Sequence, residues 1–283
     1  MTQSLSDFYR TKEIYTKLPS GGKWYTSPVK ITDDGEIGVY PMSYKDEMLL
    51  RIPDSLYNGE ALFDVIKSIC PDITDPYEIA MIDVDVILIA SRISTNESNM
   101  QVTAKCPHCK TSENYLLGIA NILSQIKTID SIEIDLPSEL SVKFRPNTLK
   151  SINANQIKVT EATSITNNLR HDLPPDEAKK IFEESLGKTT AASLLLIADS
   201  IECITLPNGS VVSDIQEILQ WLYNIDSGTM KQLQKANTMQ NVNGIDEMFN
   251  FVCSNEECQE EFKAPVEFNP SFFFTNDWDQ MMT

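Results

Sequence analysis

Four cysteines have the side-chain type and the spacing that hold a metal ion. Cys106 and Cys109 flank Pro107-His108, and Cys253 and Cys258 flank the four residues Ser254 to Glu257. A structural zinc ion takes four thiolate or imidazole ligands in a tetrahedron. A spacer of two to four residues lets both sulfurs of one turn reach the same ion. Four thiolates also fill the coordination sphere, whereas a catalytic zinc keeps one position open for water. The reading is therefore a structural Zn2+ site on Cys106, Cys109, Cys253 and Cys258, with iron left open as the metal. Two alternatives stand beside it: four unliganded thiols, and redox chemistry at Cys106-Pro107-His108-Cys109. A thioredoxin-like site needs its CxxC at the start of a helix after a buried strand. Lys110-Thr111-Ser112-Glu113-Asn114 is a poor helix start. His108 becomes a ligand only if one cysteine is unused, and His171, beside Asp172, reads as a loop residue.

Both cysteine pairs must be carried by similar elements. Gln101 to Lys105 alternates as a strand before the first pair, and residues 248–252 do so before the second. Aromatic and aliphatic residues follow each pair, Tyr115-Leu116-Leu117 in one case and Phe262 and Val266 in the other. This is the pattern of the two hairpin halves of a zinc ribbon. With residues 110–252 lying between the halves, the site would close a long loop around an inserted segment. Cys70 and Cys203 read as core residues: the first ends an apolar helix face, the second alternates with polar neighbours in a strand.

Elsewhere the pattern is mostly helical. Leu18-Pro19-Ser20-Gly21-Gly22 is a turn signal, followed by Trp24 and Tyr25, aromatics that suit docking on the chain's own core or on a partner. A strand is expected at 37–40. Helices are expected from Ser43 to Leu50 with Ser43 as N-cap, over 59–69 with one apolar face, and from an Asp83 cap onward. Residues 131–146 read as two strands. Leu149 to Leu169 reads as a long polar helix or a pair of helices, followed by a helix from Pro175 to about Leu186 and a separate buried helix over 190–198. After a strand at 200–206 and a turn at Pro207-Asn208-Gly209-Ser210, Ser213 is expected to cap a helix, with a last one over 227–239. The fold class is α+β: a discontinuous zinc-ribbon-like β unit with an N-terminal helical cluster and an inserted, mainly helical domain. The expected division is an extended arm over 1–30, the cluster and ribbon over 31–125 plus 245–283, and the insertion over 126–244.

The chain has 283 residues, with 23 basic and 41 acidic side chains and a net charge of −18. That charge disfavours nucleic acid, whose affinity comes from Lys and Arg neutralising phosphates, and disfavours an anionic membrane surface. Glu256, Glu257, Glu260 and Glu261 crowd the second cysteine pair, which argues for protein contacts or plain stability there. Ala191 to Ala198, the most apolar run, is far short of the roughly 18 residues of a membrane span. The first residues contain no apolar stretch of a secretory signal, so cysteine thiols are expected to remain reduced. No phosphate loop or nucleophile elbow appears, and two histidines leave little for acid–base catalysis. No small-molecule substrate is indicated.

Several motifs occur in the order found in one known family. These are LPSGGKWY (18–25), VYPM (39–42), DEMLL (46–50), LYNGEALFDVIKSICPDI (56–73), DVDVILIASRI (83–93), the CPHC pair and the closing NPSFFF (269–274). In this the chain resembles the baseplate hub subunit family of T4-like contractile-tailed bacteriophages. The second cysteine spacer, four residues instead of two, departs from the family pattern. The resemblance implies a structural, non-enzymatic component of the virion's tail baseplate hub, built in the host cytoplasm. Its partners would be other hub and tail proteins, with the tape-measure protein as a candidate. It equally allows a hub assembly chaperone absent from the finished virion. Aromatic residues near both ends, over 1–30 and 268–283, would serve as interface anchors.

Overall fold

The computed structural model describes residues 4–50, 59–95, 99–167, 175–242 and 248–266. Strands β1 (Ile14–Lys17) and β2 (Glu36–Val39) precede helices α1 (Tyr44–Leu50), α2 (Glu60–Ile69) and α3 (Met81–Ser94). Strands β3 (Asn99–Lys105) and β4 (Ser112–Gly118) lead to a short helix α4 (Ala120–Leu123). Next come β5 (Glu133–Asp135), β6 (Ser141–Phe144), α5 (Leu149–Asn167) and α6 (Pro175–Ser200). The last elements are β7 (Ile201–Thr205), β8 (Val211–Val212), α7 (Ile215–Leu222), α8 (Ser227–Gln240), β9 (Met248–Val252) and β10 (Glu261–Pro265). The mixture is α+β. Among the described residues the strands form three antiparallel pairs, β1-β2, β3-β4 and β9-β10, and one four-stranded sheet in the order β5-β6-β7-β8.

Local chemistry accounts for most element boundaries. At α1, Ser43 Oγ accepts from the Asp46 amide at 3.3 Å while the Asp46 carboxylate accepts from the Ser43 amide at 2.8 Å, a reciprocal capping pair. The α7 cap is Asp214 rather than the expected Ser213: its carboxylate accepts from the amides of Gln216 and Glu217 at 3.0 and 2.9 Å. Asp226 caps α8 in the same way. The two helices expected over 175–186 and 190–198 are one, since α6 runs unbroken through Gly187. That glycine faces open space, and an ion pair from Glu184 to Lys188 spans it at 2.7 Å. Neighbouring packing, including Ser185 Oγ donating to the Ala162 carbonyl at 2.7 Å, outweighs a helix penalty of about 1 kcal/mol for glycine.

Three apolar cores result. The first joins the β1-β2 hairpin to α2 and one side of α3, through Leu18, Ile37, Val65, Ile66, Ile69, Val84, Ile87 and Leu88. The second joins the other side of α3, Val86 and Ile89, to the hairpins β3-β4 and β9-β10. The third lies between the four-stranded sheet, the end of α6, and α7 and α8, around Phe144, Ile197, Ile218 and Leu233. The side chains from Val86 to Ala90 are completely buried, so α3 has no solvent-facing side over that stretch.

The segment expected to be an extended arm docks along the first core. Arg10 donates to the Pro41 carbonyl at 2.7 Å and pairs with the buried Asp46 at 3.0 Å, and Lys12 pairs with Asp72. Asp83, expected to cap α3, instead sits in its first turn, fully buried; the cap position is Ala80. Its carboxylate accepts from the Ser20 amide at 2.8 Å and from the Tyr25 hydroxyl at 2.7 Å. Tyr25 therefore packs on the chain's own core. The expectations for His171 and for the aromatic stretch 268–283 fall outside the described residues.

Burial pushes the Asp83 carboxyl up to about 6, although its two donors pull it back. A carboxyl held above its unfolded value favours the folded state while protonated, and this contribution disappears as pH rises through 6. Relative to Asp83→Asn, which does not titrate, the wild-type protein should lose about 1.4 kcal/mol of stability between pH 5 and 7.5. Urea unfolding of both proteins at each pH measures this. A constant difference between them would show that Asp83 does not titrate in that range.

Candidate metal centre

The hairpin register places each cysteine pair in a turn. Strands β3 and β4 pair as far as Lys105 opposite Ser112, leaving residues 106–111 to reverse the chain. Strands β9 and β10 pair as far as Val252 opposite Glu261, leaving residues 253–260. One bond closes each turn: the Cys106 amide donates to the Thr111 carbonyl at 2.9 Å, and the Cys253 amide to the Glu260 carbonyl at 3.0 Å.

The two turns share a backbone pattern despite their different lengths. In the first, the Lys110 amide donates back to the Cys106 carbonyl at 3.0 Å, and Lys110 is left-handed at φ 65°. In the second, the Gln259 amide donates to the Asn255 carbonyl at 3.0 Å, and Gln259 is left-handed at φ 50°. Each left-handed residue follows the second cysteine of its pair. Asn255 thus occupies the backbone place of Cys106, and its side-chain oxygen accepts from the Glu257 amide at 3.0 Å. The wider spacer is a two-residue turn with Cys253 and Ser254 added ahead of it.

All four sulfurs lie within 4.8 Å of one another. Cys106 and Cys258 are 3.9 Å apart, and Cys109 and Cys253 are 3.5 Å apart, each a contact between the two hairpins. A tetrahedral ion with sulfur ligands at 2.3 Å requires sulfur–sulfur edges of about 3.8 Å. The donor set and the spacing therefore fit one ion. Cys106 and Cys253 are buried, whereas Cys109 and Cys258 are half-buried. His108 is exposed and outside the cluster. The first pair lies between two strands rather than at a helix start, so the setting of a thioredoxin-like site is missing.

Polar groups around the sulfurs favour the thiolate form. Thr111 holds the Cys109 thiol down at about 6 through its hydroxyl, 3.3 Å from the sulfur, and through its amide. The Asn255 amide likewise pulls on Cys253, but burial and the neighbouring sulfurs outweigh it and push that thiol up to about 12. The Glu260 amide pulls Cys258 down, but burial and the Cys109 and Cys106 sulfurs outweigh it, so that thiol is raised too. Cys109 ionises readily whereas Cys253 and Cys258 resist, as like charges crowded together must. A divalent cation supplies the charge that would let all four ionise.

Beneath the sulfurs the hairpins are joined by aromatic packing. The Tyr115 ring lies 5.1 Å from Phe251 and 5.9 Å from Phe262, which are 5.8 Å from each other. Glu256, Glu257, Glu260 and Glu261 are exposed around the second turn. The remaining cysteines lie elsewhere. Cys70 is buried in the first core, and its thiol is pushed up to about 12 by that burial. Cys203, expected to be core, is half-buried on β7 opposite Lys143. Sequence reasoning missed Thr111 as a sulfur partner; its position two residues beyond Cys109 was the available signal.

Among the described residues no helix is long and apolar enough to cross a membrane. The chain matches no curated protein and no solved structure. Residues 11–275 match a family model described as T4 bacteriophage base plate protein. That match takes in both cysteine hairpins, all four clustered cysteines and the three cores, and on it the chain belongs to the T4 bacteriophage base plate protein family.

Proposed function

We propose that the chain is a non-enzymatic structural component of the hub of a contractile-tail baseplate, with a zinc ion on Cys106, Cys109, Cys253 and Cys258 clamping its two hairpins together. The observation that carries the zinc reading is the convergence of four sulfurs from two turns distant in sequence. Four soft thiol donors suit zinc over hard cations such as magnesium or calcium. A closed four-sulfur set leaves no position for a bound water, which supports a structural over a catalytic ion. Family membership supports work through interfaces with other tail proteins; the tape-measure protein is a candidate among them. The net charge of −18 suits a component that stays soluble until it meets complementary surfaces. Assembly in the host cytoplasm and residence in the finished virion complete the reading.

Purified protein should carry one zinc per chain by elemental mass spectrometry, with no iron absorbance. Cys253→Ser should abolish that metal and lower the melting temperature by roughly 10 °C or more, because the ion's binding energy contributes directly to folding. Cys203→Ser, outside the cluster, should leave metal content unchanged. Ligand thiols must lose their protons to bind, so chelators should strip the metal more readily as pH falls below 7. A Cys253→Ser protein with unaltered melting would count against the clamp.

Quantitative mass spectrometry of purified particles tests the hub reading. The chain should be present at a fixed ratio to the other tail proteins. Its absence from particles that need it for assembly would establish the chaperone alternative.

A further inference from the structure

The four-stranded sheet carries an apolar cleft whose lining includes none of the clustered cysteines. Both of its hairpin turns lie at one end, since Ser141 pairs with Thr205 and the turns at 136–140 and 206–210 adjoin that pair. Leu140 comes from the first turn, Leu206 from the second, Val212 from β8, and Ile218 and Trp221 from α7. Together they line a space of ≈ 90 Å³. Pockets for free small molecules run from about 300 to 1,000 Å³, so this one suits a single inserted side chain. Trp221 is half-buried, and neighbouring Val211 is 61% exposed, so apolar surface continues to solvent.

The charge around this cleft has one sign. Among the described residues, Glu217 is the one charged side chain lining it. Residues 189–230 contain no lysine or arginine, but include Asp199, Glu202, Asp214, Glu217 and Asp226. Residues 128–142 contain no lysine or arginine either, and Glu139 is exposed beside Leu140. Lys143, the nearest cation on the sheet, is already engaged by Glu202 at 2.8 Å.

We infer that this cleft seats an aliphatic side chain of a partner protein that carries lysine or arginine on either side of it. The inference builds on the reading that the chain acts through protein interfaces, and it specifies one of them. The anchor removes Leu206, Val212 and Trp221 from water, and the flanking cations answer Glu217 and Glu139. Such contacts combine an apolar centre with a charged rim that sets specificity and encounter rate more than affinity. A second copy of this chain does not suit the site, because its own surface is strongly acidic.

The test is a titration of the isolated full chain with acetyl-Lys-Lys-Leu-Lys-Lys-amide, followed by the Trp221 indole N–H signal in NMR. The signal is assigned with Trp221→Phe. The peptide should shift it, and replacing its Leu with Ala should weaken binding roughly tenfold, the value of the lost buried carbons. Glu217→Lys, at an exposed position, should weaken it about fivefold, and added salt should act in the same direction. No shift at millimolar peptide would overturn the proposal, as would equal binding of the Leu and Ala peptides. Equal binding of an acetyl-Glu-Glu-Leu-Glu-Glu-amide control would also overturn it. So would a dimer in sedimentation that Val212→Glu dissociates, since that would put a second copy in the cleft. The titration needs no assembled particle, so its failure is distinguishable from absence of the chain from virions.

Discussion

A helix with no solvent-facing side over its central turns must be wrapped on every side, and α3 imposes that requirement on the whole chain. Each side chain from Val86 to Ala90 contributes to one of two cores, so neither core is complete without the other's share of the same helix. Burying such a stretch is worth on the order of 2 kcal/mol for each large aliphatic side chain, a gain available only once both faces are covered. The β1-β2 hairpin and α2 cover one face, and the two cysteine-bearing hairpins cover the other. Asp83 ties the N-terminal segment to the same helix from inside the core, with the Ser20 amide and the Tyr25 hydroxyl as its partners.

The second face is covered by hairpins at 99–118 and 248–265, distant in sequence, and this explains why they need more than their own strands. An isolated two-stranded hairpin is marginal in water. Here each brings one or two large aromatic rings to a shared cluster and a pair of thiols to a shared tetrahedron. The sulfur contacts are between hairpins in both short pairings, Cys106 with Cys258 and Cys109 with Cys253. Between the hairpins the chain builds a third core that is stapled at its base: the Gln240 side chain accepts from the Ile132 amide at 2.6 Å, and the Asn241 side chain from the Asn147 amide at 2.8 Å.

What the sequence made legible follows from how local each cause is. Turn residues, caps and apolar periodicity are encoded within a few positions, so the helices at 44–50 and 60–69 and the strands beside each cysteine pair can be read directly. The cysteines are legible as a group because their short spacers mark two turns, which the structure brings together. Features decided by tertiary contact were not. Asp83 looks like an N-cap by type, but its partners lie some sixty residues earlier. Gly187 looks like a helix break, but packing of α5 on α6 carries the helix through it. Cys203 has the alternation of a core residue, yet its strand leaves that position half-covered. The apolar cleft beside Trp221 draws its lining from three separate segments, which no single window of sequence brings together.

The folding-back of residue 253 onto residue 106 has a mechanical meaning. Tension entering at the N-terminal body and leaving at β10 has a short route through α3, the aromatic cluster and the paired turns. The four-stranded sheet, α7 and α8, all built from residues between Cys109 and Cys253, lie off that load path. They can be pushed, tilted or engaged by a neighbour without being stretched. In a phage baseplate protein such a layout would let strain pass through the hairpins and leave the third core unloaded.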